Sequence, residues 1–377
     1  MTRSGPRSIV FAGGGTAGHL FPALAAAEQV RRLAVETKII FVGSGRAIEQ
    51  KHVAAAGFDY IALPSRPLPR SVGDWVPFVV ENLAGYWAAR RLLTEERAAV
   101  VVGLGGYASA PTARAALRLG IPLVLLEQNV LPGRATRWLA RRAAAVCVTW
   151  ATAKNHLPPG TRVLTTGNPL RAEFFEPADK ENLLLVIGGS HGAHALNVDV
   201  PKALYRLASD LNGWRIVHQT GEADQAAVAR LYRRLGIDAE TTPFIADMPR
   251  LMRSARLAIS RAGGTTLAEL AATGTPAVLV PYPHAADDHQ RRNAELLARA
   301  GGAVVVDQRA ASPDSEGEAP RFDAALADTI RPLIAEPAWL ETMGRVMRRF
   351  ARPEAARQVA ETILQQAHAT ATLPAAA

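Results

Sequence analysis

The chain has 377 residues, 49% hydrophobic and 20% charged, with 30 glycines and 25 prolines. That length suits two domains of about 150 to 200 residues, and the composition excludes a fibrous or disordered chain. The single cysteine, Cys147, excludes an internal disulfide framework and fits a reducing compartment. A net charge of +9 asks for a partner among nucleic acids, anionic lipid surfaces and phosphorylated small molecules, and charge alone does not choose. Nucleic acid is set aside: aromatics are only 6%, whereas single-strand platforms depend on them.

The segment Met1 to Ser8 is polar and basic, and no run of about 18 apolar residues follows, so neither a signal peptide nor a spanning helix is expected. Ile9–Ala12 reads as a strand, followed by a glycine turn, an alanine-rich helix from about Pro22 to Leu33 and a strand over Ile39–Val42. Strands over Ala98–Val102, Pro122–Leu126 and Ala145–Thr149 then alternate with helices over Ala110–Leu119 and Thr136–Ala143. Short apolar runs separated by helices predict a parallel sheet covered on both faces, a doubly wound domain. After Val163–Gly167 and a charged stretch, Ala172–Glu181, the pattern restarts: strand Leu183–Ile187, glycine turn, helix Ala195–Leu207. Further strands are expected at Arg215–His218, Thr242–Phe244, Leu257–Ser260, Ala277–Val280 and Ala303–Val306. The fold class is therefore α/β, with two doubly wound, Rossmann-like domains expected to face a cleft, since ligands bind beyond the carboxyl ends of such strands. Residues 308–322 read as an exposed loop and Thr370–Ala377 as a frayed end.

The first glycine loop runs from Gly13 to His19 between a strand and a helix. Its glycines let backbone amides approach a diphosphate closely, and the helix N-terminus adds a positive field. A dinucleotide fingerprint fits as Gly13-x-Gly15-x-x-Gly18, yet no acidic residue closes the second strand, which weakens that reading. His19, at the helix entrance, is placed either to take a proton from a sugar hydroxyl or to serve as a structural cap. A second loop, Gly188–Ala193, repeats the device, and Ser190 can cap the next helix or donate to a phosphate.

The densest polar signal is Ser260–Glu269, where the amides of Gly263–Thr266 form another anion seat and Glu269 suits ribose hydroxyls. His284, Asp287, Asp288 and His289 suggest either a metal site or sugar hydroxyl recognition; no familiar ligand spacing favours the metal. Glu127-Gln128-Asn129 and Gly105-Gly106-Tyr107 end strands of the first half, and Arg171 follows the junction Gly167-Asn168-Pro169-Leu170. The most aromatic stretch, Trp75–Trp87 with Arg90 and Arg91 behind it, reads as an amphipathic helix, docked on an anionic bilayer or buried in the first core.

Taken in order, these residues resemble the family of bacterial UDP-N-acetylglucosamine:N-acetylmuramyl-(pentapeptide)-pyrophosphoryl-undecaprenol N-acetylglucosamine transferases, from about Ser8 to Gln365. The likeness rests on Gly14–His19 with Phe21-Pro22-Ala23, Gly105–Tyr107, Glu127–Asn129, Gly167–Pro169 and Gly188–Ser190. It continues through Phe244-Ile245 with Asp247-Met248, Arg261–Gly263 with Glu269, and Gln290 with Asn293. The resemblance implies an inverting enzyme of the B-type glycosyltransferase fold, without cofactor or metal, that turns lipid I into lipid II in peptidoglycan synthesis. It implies an acceptor and membrane domain over 1–166, a donor domain over 167–349, and a last helix, 350–368, packing back on the first domain. Carried over by position, His19 is the base, and Thr16, Ala17, Gly18 and Asn129 shape the acceptor site. Arg171, Ser190, Ile245, Gly264, Thr265, Thr266, Leu267, Ala268, Glu269, His289 and Gln290 hold UDP-N-acetylglucosamine, with Glu269 on ribose and the Ile245 backbone on uracil. The implied partners are that donor, lipid I and an anionic membrane surface, with the protein peripheral on the cytoplasmic face of the inner membrane. Ala17 departs from the family pattern where glycine is common, Leu126 where histidine is, His191 where glutamine is, and Ser65–Arg70 lacks the usual glycine.

Overall fold

The computed structural model describes residues 8–69, 71–189, 193–309 and 321–371. The chain divides into two compact units, Met1–Arg171 with Glu354–Ala377, and Ala172–Pro353. In the first, the elements are β1 (Ser8–Ala12), α1 (Ala17–Leu33), β2 (Lys38–Gly43), α2 (Ala47–Ala55), β3 (Asp59–Ala62), α3 (Trp75–Glu95) and β4 (Ala98–Gly103). There follow α4 (Ala110–Arg118), β5 (Leu123–Glu127), α5 (Arg134–Leu139), β6 (Ala145–Val148) and β7 (Val163–Thr165). The sheet order is β3-β2-β1-β4-β5-β6-β7, parallel throughout.

Strand alternation explains the continuous apolar runs. Ile9, Phe11, Ile39 and Phe41 point to one face and pack with Leu20, Ala23, Ala27 and Val30 of α1. Val10, Ala12, Ile40 and Val42 point to the other, against Ala89 and Leu93 of α3 and Ala113 and Ala116 of α4. A parallel sheet buried on both sides cannot alternate polar with apolar residues. The rings of Phe11 and Phe41 stack at 5.0 Å between neighbouring strands.

The second unit contains β8 (Glu181–Ile187), α6 (His194–Tyr205), β9 (Arg215–Gln219), α7 (Gln225–Arg234), β10 (Glu240–Thr242), α8 (Met248–Ser254) and β11 (Ala255–Ser260). It continues with α9 (Gly264–Thr273), β12 (Ala277–Leu279), α10 (His289–Ala300), β13 (Ala303–Val305), α11 (Phe322–Ala335) and α12 (Pro337–Arg348). Its sheet, β10-β9-β8-β11-β12-β13, is again parallel. The last helix, α13 (Ala355–Ala371), belongs to the first unit, where Val359, Ala360 and Ile363 join the cluster under α1.

Two readings need correction. Helix α1 begins at Ala17, five residues before Pro22; the proline, which has no N–H to donate, is carried in the second turn because Leu20, Ala23, Ala26, Ala27 and Val30 bury the stripe around it. The short elements α2 and β3 were not anticipated. Only Glu49 and Val53 of α2 are buried and none of β3 is, so neither presents a clear apolar face. Ser190, His191 and most of the 308–322 loop lie outside the described residues, as does the end of the chain from 372.

Candidate active site

Sheet order reverses between β1 and β4 in the first unit and between β8 and β11 in the second, and at such switch points loops diverge to leave a crevice. In the first unit the loop Gly13–Thr16 leaves β1 there, and the loop Gly103–Gly106 leaves β4 beside it. His19, in the first turn of α1 and half-buried, lies between them. Its Nδ1–H donates to Gln128 Oε1 at 2.9 Å, which leaves the lone pair on Nε2. A β-carbon on Gly105 would come within 3.4 Å of the imidazole, so the second loop packs closely on the ring. Gln128 is itself fixed, because the indole of Trp150 donates to its carbonyl at 3.0 Å.

Glu127 is 4% exposed and its carboxylate is used internally: Oε1 accepts from the amide and side chain of Asn129 at 3.0 and 3.2 Å, and Oε2 from the Gly133 amide at 2.9 Å. Glu127 thus shapes the turn that presents Asn129 and does not face a ligand. Thr16 is exposed, while Ala17 and Gly18 are half-buried. Two amides of the glycine loop are already taken, Gly13 N–H by Val42 O at 2.9 Å and Gly15 N–H by the carboxylate of Glu49. Arg171 is exposed at the end of this unit, and its charge, behind burial and Lys51, helps hold the His52 imidazole below its usual pKa.

In the second unit the site elements are the loops after β8, β10, β11 and β12. Gln219, 2% exposed at the end of β9, donates to Gly189 O at 3.0 Å and accepts from Ile245 N–H at 3.3 Å. The Ile245 N–H is thus committed within the protein. Gln290 Oε1 accepts from Ala262 N–H at 3.2 Å and Tyr282 N–H at 3.0 Å, and buried Asn293 donates to Ala262 O at 3.1 Å. Gln290 staples two loops and leaves only its amide NH₂ to meet a ligand. Arg261 donates to Val280 O and Pro281 O, at 3.1 and 3.2 Å, beneath the Tyr282 ring; burial lowers its pKa to about 10, which still keeps it charged.

Helix α9 starts at Gly264 with no acidic residue in its first turn, so its dipole presents a positive end. Along it, Thr266 and Glu269 are half-buried on one face, whereas Gly264, Thr265, Leu267 and Ala268 are buried. The side chains of Leu267 and Ala268 pack inward, and these positions offer a ligand backbone at most. His289 Nδ1 donates to Ala286 O at 2.8 Å at the start of α10. Among the described residues, no three His, Cys, Asp or Glu side chains converge as a metal site. The residues that sequence reasoning missed are the clamps, Glu49 and Gln219; neither lies in a glycine motif, and their partners are distant in sequence.

The aromatic segment is not core. On α3, Trp75, Val76, Val79, Val80, Leu83 and Trp87 are each more than half exposed, while Gly85, Ala89 and Leu93 on the opposite face are buried. Gly85 is required for that packing, because a β-carbon there would collide with Pro64 O. The exposed stripe carries Arg90 over Trp87 at 5.4 Å. No helix among the described residues is long and apolar enough to cross a membrane.

Two family models match, the glycosyltransferase family 28 N-terminal domain over residues 9–148 and the family 28 C-terminal domain over 183–319. A UDP-N-acetylglucosamine–N-acetylmuramyl-(pentapeptide) pyrophosphoryl-undecaprenol N-acetylglucosamine transferase of Geobacter sulfurreducens is 38% identical over 94% of this chain and 98% of its own length. The protein of the same name from Stutzerimonas stutzeri is also 38% identical, over 96% and 99%. The crystal structure of Acinetobacter baumannii MurG superposes with a TM-score of 0.74 at 32% identity, covering 96% of this chain and all of that one, in keeping with the B-type glycosyltransferase fold. The chain belongs to the UDP-N-acetylglucosamine–N-acetylmuramyl-(pentapeptide) pyrophosphoryl-undecaprenol N-acetylglucosamine transferase family, built on paired family 28 domains.

Proposed function

We propose that this chain transfers N-acetylglucosamine from its UDP carrier to the 4-hydroxyl of undecaprenyl-pyrophosphate-linked N-acetylmuramoyl-pentapeptide, converting lipid I to lipid II with inversion. The observation that carries it is the oriented imidazole at the first unit's switch point. With Nδ1–H given to Gln128, His19 Nε2 accepts the proton of the sugar hydroxyl as that oxygen attacks the anomeric carbon. UDP leaves in the same step, its charge taken by the positive N-terminal end of α9. No covalent enzyme intermediate is needed.

In this reading the first unit holds the acceptor through Thr16, Ala17, Gly18 and Asn129. The second holds the donor: Glu269 accepts from ribose hydroxyls, the Ile245 carbonyl accepts from uracil N3–H, and Thr266 and the Gln290 amide donate to phosphate. Arg171, Ser190 and His289 complete the anion contacts. The exposed stripe of α3 seats the protein on the anionic cytoplasmic face of the inner membrane, where lipid I resides, with Trp75 and Trp87 at the headgroup level and Arg90 and Arg91 beside them. Purified protein supplied with UDP-N-acetylglucosamine should release UDP with lipid I and not with diacylglycerol. UDP release with diacylglycerol alone would reassign the acceptor, and tight UDP binding without release on either lipid would make the chain a nucleotide-sugar-binding protein.

A further inference from the structure

A buried carboxylate stands behind the first glycine loop and takes no part in the chemistry above. Glu49 is 1% exposed, yet its two oxygens collect four donors. Oε1 accepts from Gly15 N–H and from Ser44 Oγ at 2.9 Å; Oε2 accepts from Ser44 N–H at 2.8 Å and from the Tyr60 hydroxyl at 2.6 Å. Arg46, the residue that caps the same helix, donates to Gly15 O. Gly15 is thus held at both its N–H and its C=O, by Glu49 of α2 and by Arg46 just before it. Sequence follows from this: a β-carbon on Gly14 would lie 2.5 Å from Glu49 Oε1, and one on Gly43 would collide with Oε2 and with Tyr60. Gly14 and Gly43 are therefore glycines because the carboxylate occupies their side-chain space.

We propose that Glu49 is the positioning residue of the acceptor loop, holding Gly13–Gly15 in the shape that presents Thr16, Gly18 and His19 to the acceptor. This rests on the transferase reading. Burial, and then the bond to Glu49, push the Tyr60 phenol well above its usual range, so it stays a donor to the carboxylate. A carboxamide cannot replace this carboxylate: Gln at 49 would turn its NH₂ toward donors that already point at it, and a buried unmatched donor is costly.

The test compares wild type, Glu49→Gln and Tyr60→Phe, the last removing one of the four bonds and no charge. In transfer assays with lipid I, Glu49→Gln should lower kcat by roughly 10- to 100-fold and Tyr60→Phe by about threefold, each leaving the affinity for UDP-N-acetylglucosamine within about twofold. Amide hydrogen exchange of residues 9–20 should rise in both variants while that of the second unit stays put. Kinetics at wild-type level in Glu49→Gln, or a parallel fall in donor affinity that marks general unfolding, overturns the proposal. Should wild type itself fail to use lipid I, the transferase reading falls, and unchanged exchange at 9–20 in the variants would separately overturn the clamp.

Discussion

Gly15 in the first unit and Ala262 in the second sit in loops flanking their switch points, and each residue is held at both its N–H and its C=O by side chains in or just before one nearby helix. At Gly15 the clamps are ions, Glu49 on the N–H and Arg46 on the C=O. At Ala262 they are carboxamides, Gln290 on the N–H at 3.2 Å and Asn293 on the C=O at 3.1 Å. Charge-assisted bonds are about twice as strong as neutral ones, so the first loop is held harder. The charges of Glu49 and Arg46 offset each other, so the first clamp supplies grip without net charge, while the second loop opens onto the positive end of α9. The difference matches the proposed division of labour, shape for a sugar acceptor in one unit and positive potential for a nucleoside diphosphate in the other.

The largest test of that division is His19→Ala. It should cut turnover by about 10²- to 10⁴-fold, the scale for a positioned base, with UDP binding unchanged by calorimetry. A variant near wild-type turnover would remove His19 from the chemistry and the first unit from its role. Next comes Gln290→Ala, which should weaken UDP-N-acetylglucosamine by about tenfold, the worth of a lost hydrogen bond and a loosened staple. Its KM for lipid I should hold; if the acceptor KM rises instead, the two clamps serve the same ligand and the contrast fails.

A smaller effect is expected at the surface. Replacing Val76 and Trp87 together by serine should reduce sedimentation with phosphatidylglycerol vesicles by roughly three- to tenfold and leave affinity for UDP intact. Equal loss on neutral vesicles would assign the stripe to hydrophobic contact without a role for Arg90 and Arg91.

A separate effect concerns stability and belongs to the second unit alone. His218 is fully buried, with Nε2–H donating to Asn197 Oδ1 at 3.1 Å and Nδ1 accepting from Tyr232 OH at 3.0 Å, so the neutral ring is fully paired; burial takes its pKa down to about 3. The unfolded chain binds that proton near pH 6.5 and the folded one does not, so stability is lost as pH falls from about 6.5 toward 3, by up to about 1.4 kcal/mol per pH unit. Urea unfolding at pH 7 and pH 5 should show this slope in wild type and lack it in His218→Gln. The same slope in both would place the sensitivity elsewhere.

Most of the fold was legible because a parallel sheet covered on both faces forces unbroken apolar strands, and Ile9–Ala12, Val100–Val102 and Leu183–Ile187 are such runs. The glycine loops were legible for a related reason, since a turn from strand to helix at a ligand's approach leaves a local mark. Helix α3 was read correctly as amphipathic, but its sequence could not say which way the aromatic face pointed. Trp75 and Trp87 suit a core as well as a surface, and the packing of Gly85 against Pro64 decides it.

Sequence by itself thus determined what is local and periodic: strands, their parallel class, glycine turns, and the motif order that marks the family. Only the tertiary structure decided which loop amides are taken, because that depends on Glu49, Gln219 and Gln290 reaching loops 26 to 34 residues away in the chain. Such a clamp imposes no spacing rule on the chain, since a buried acceptor needs only a donor at about 3 Å, whatever segment supplies it.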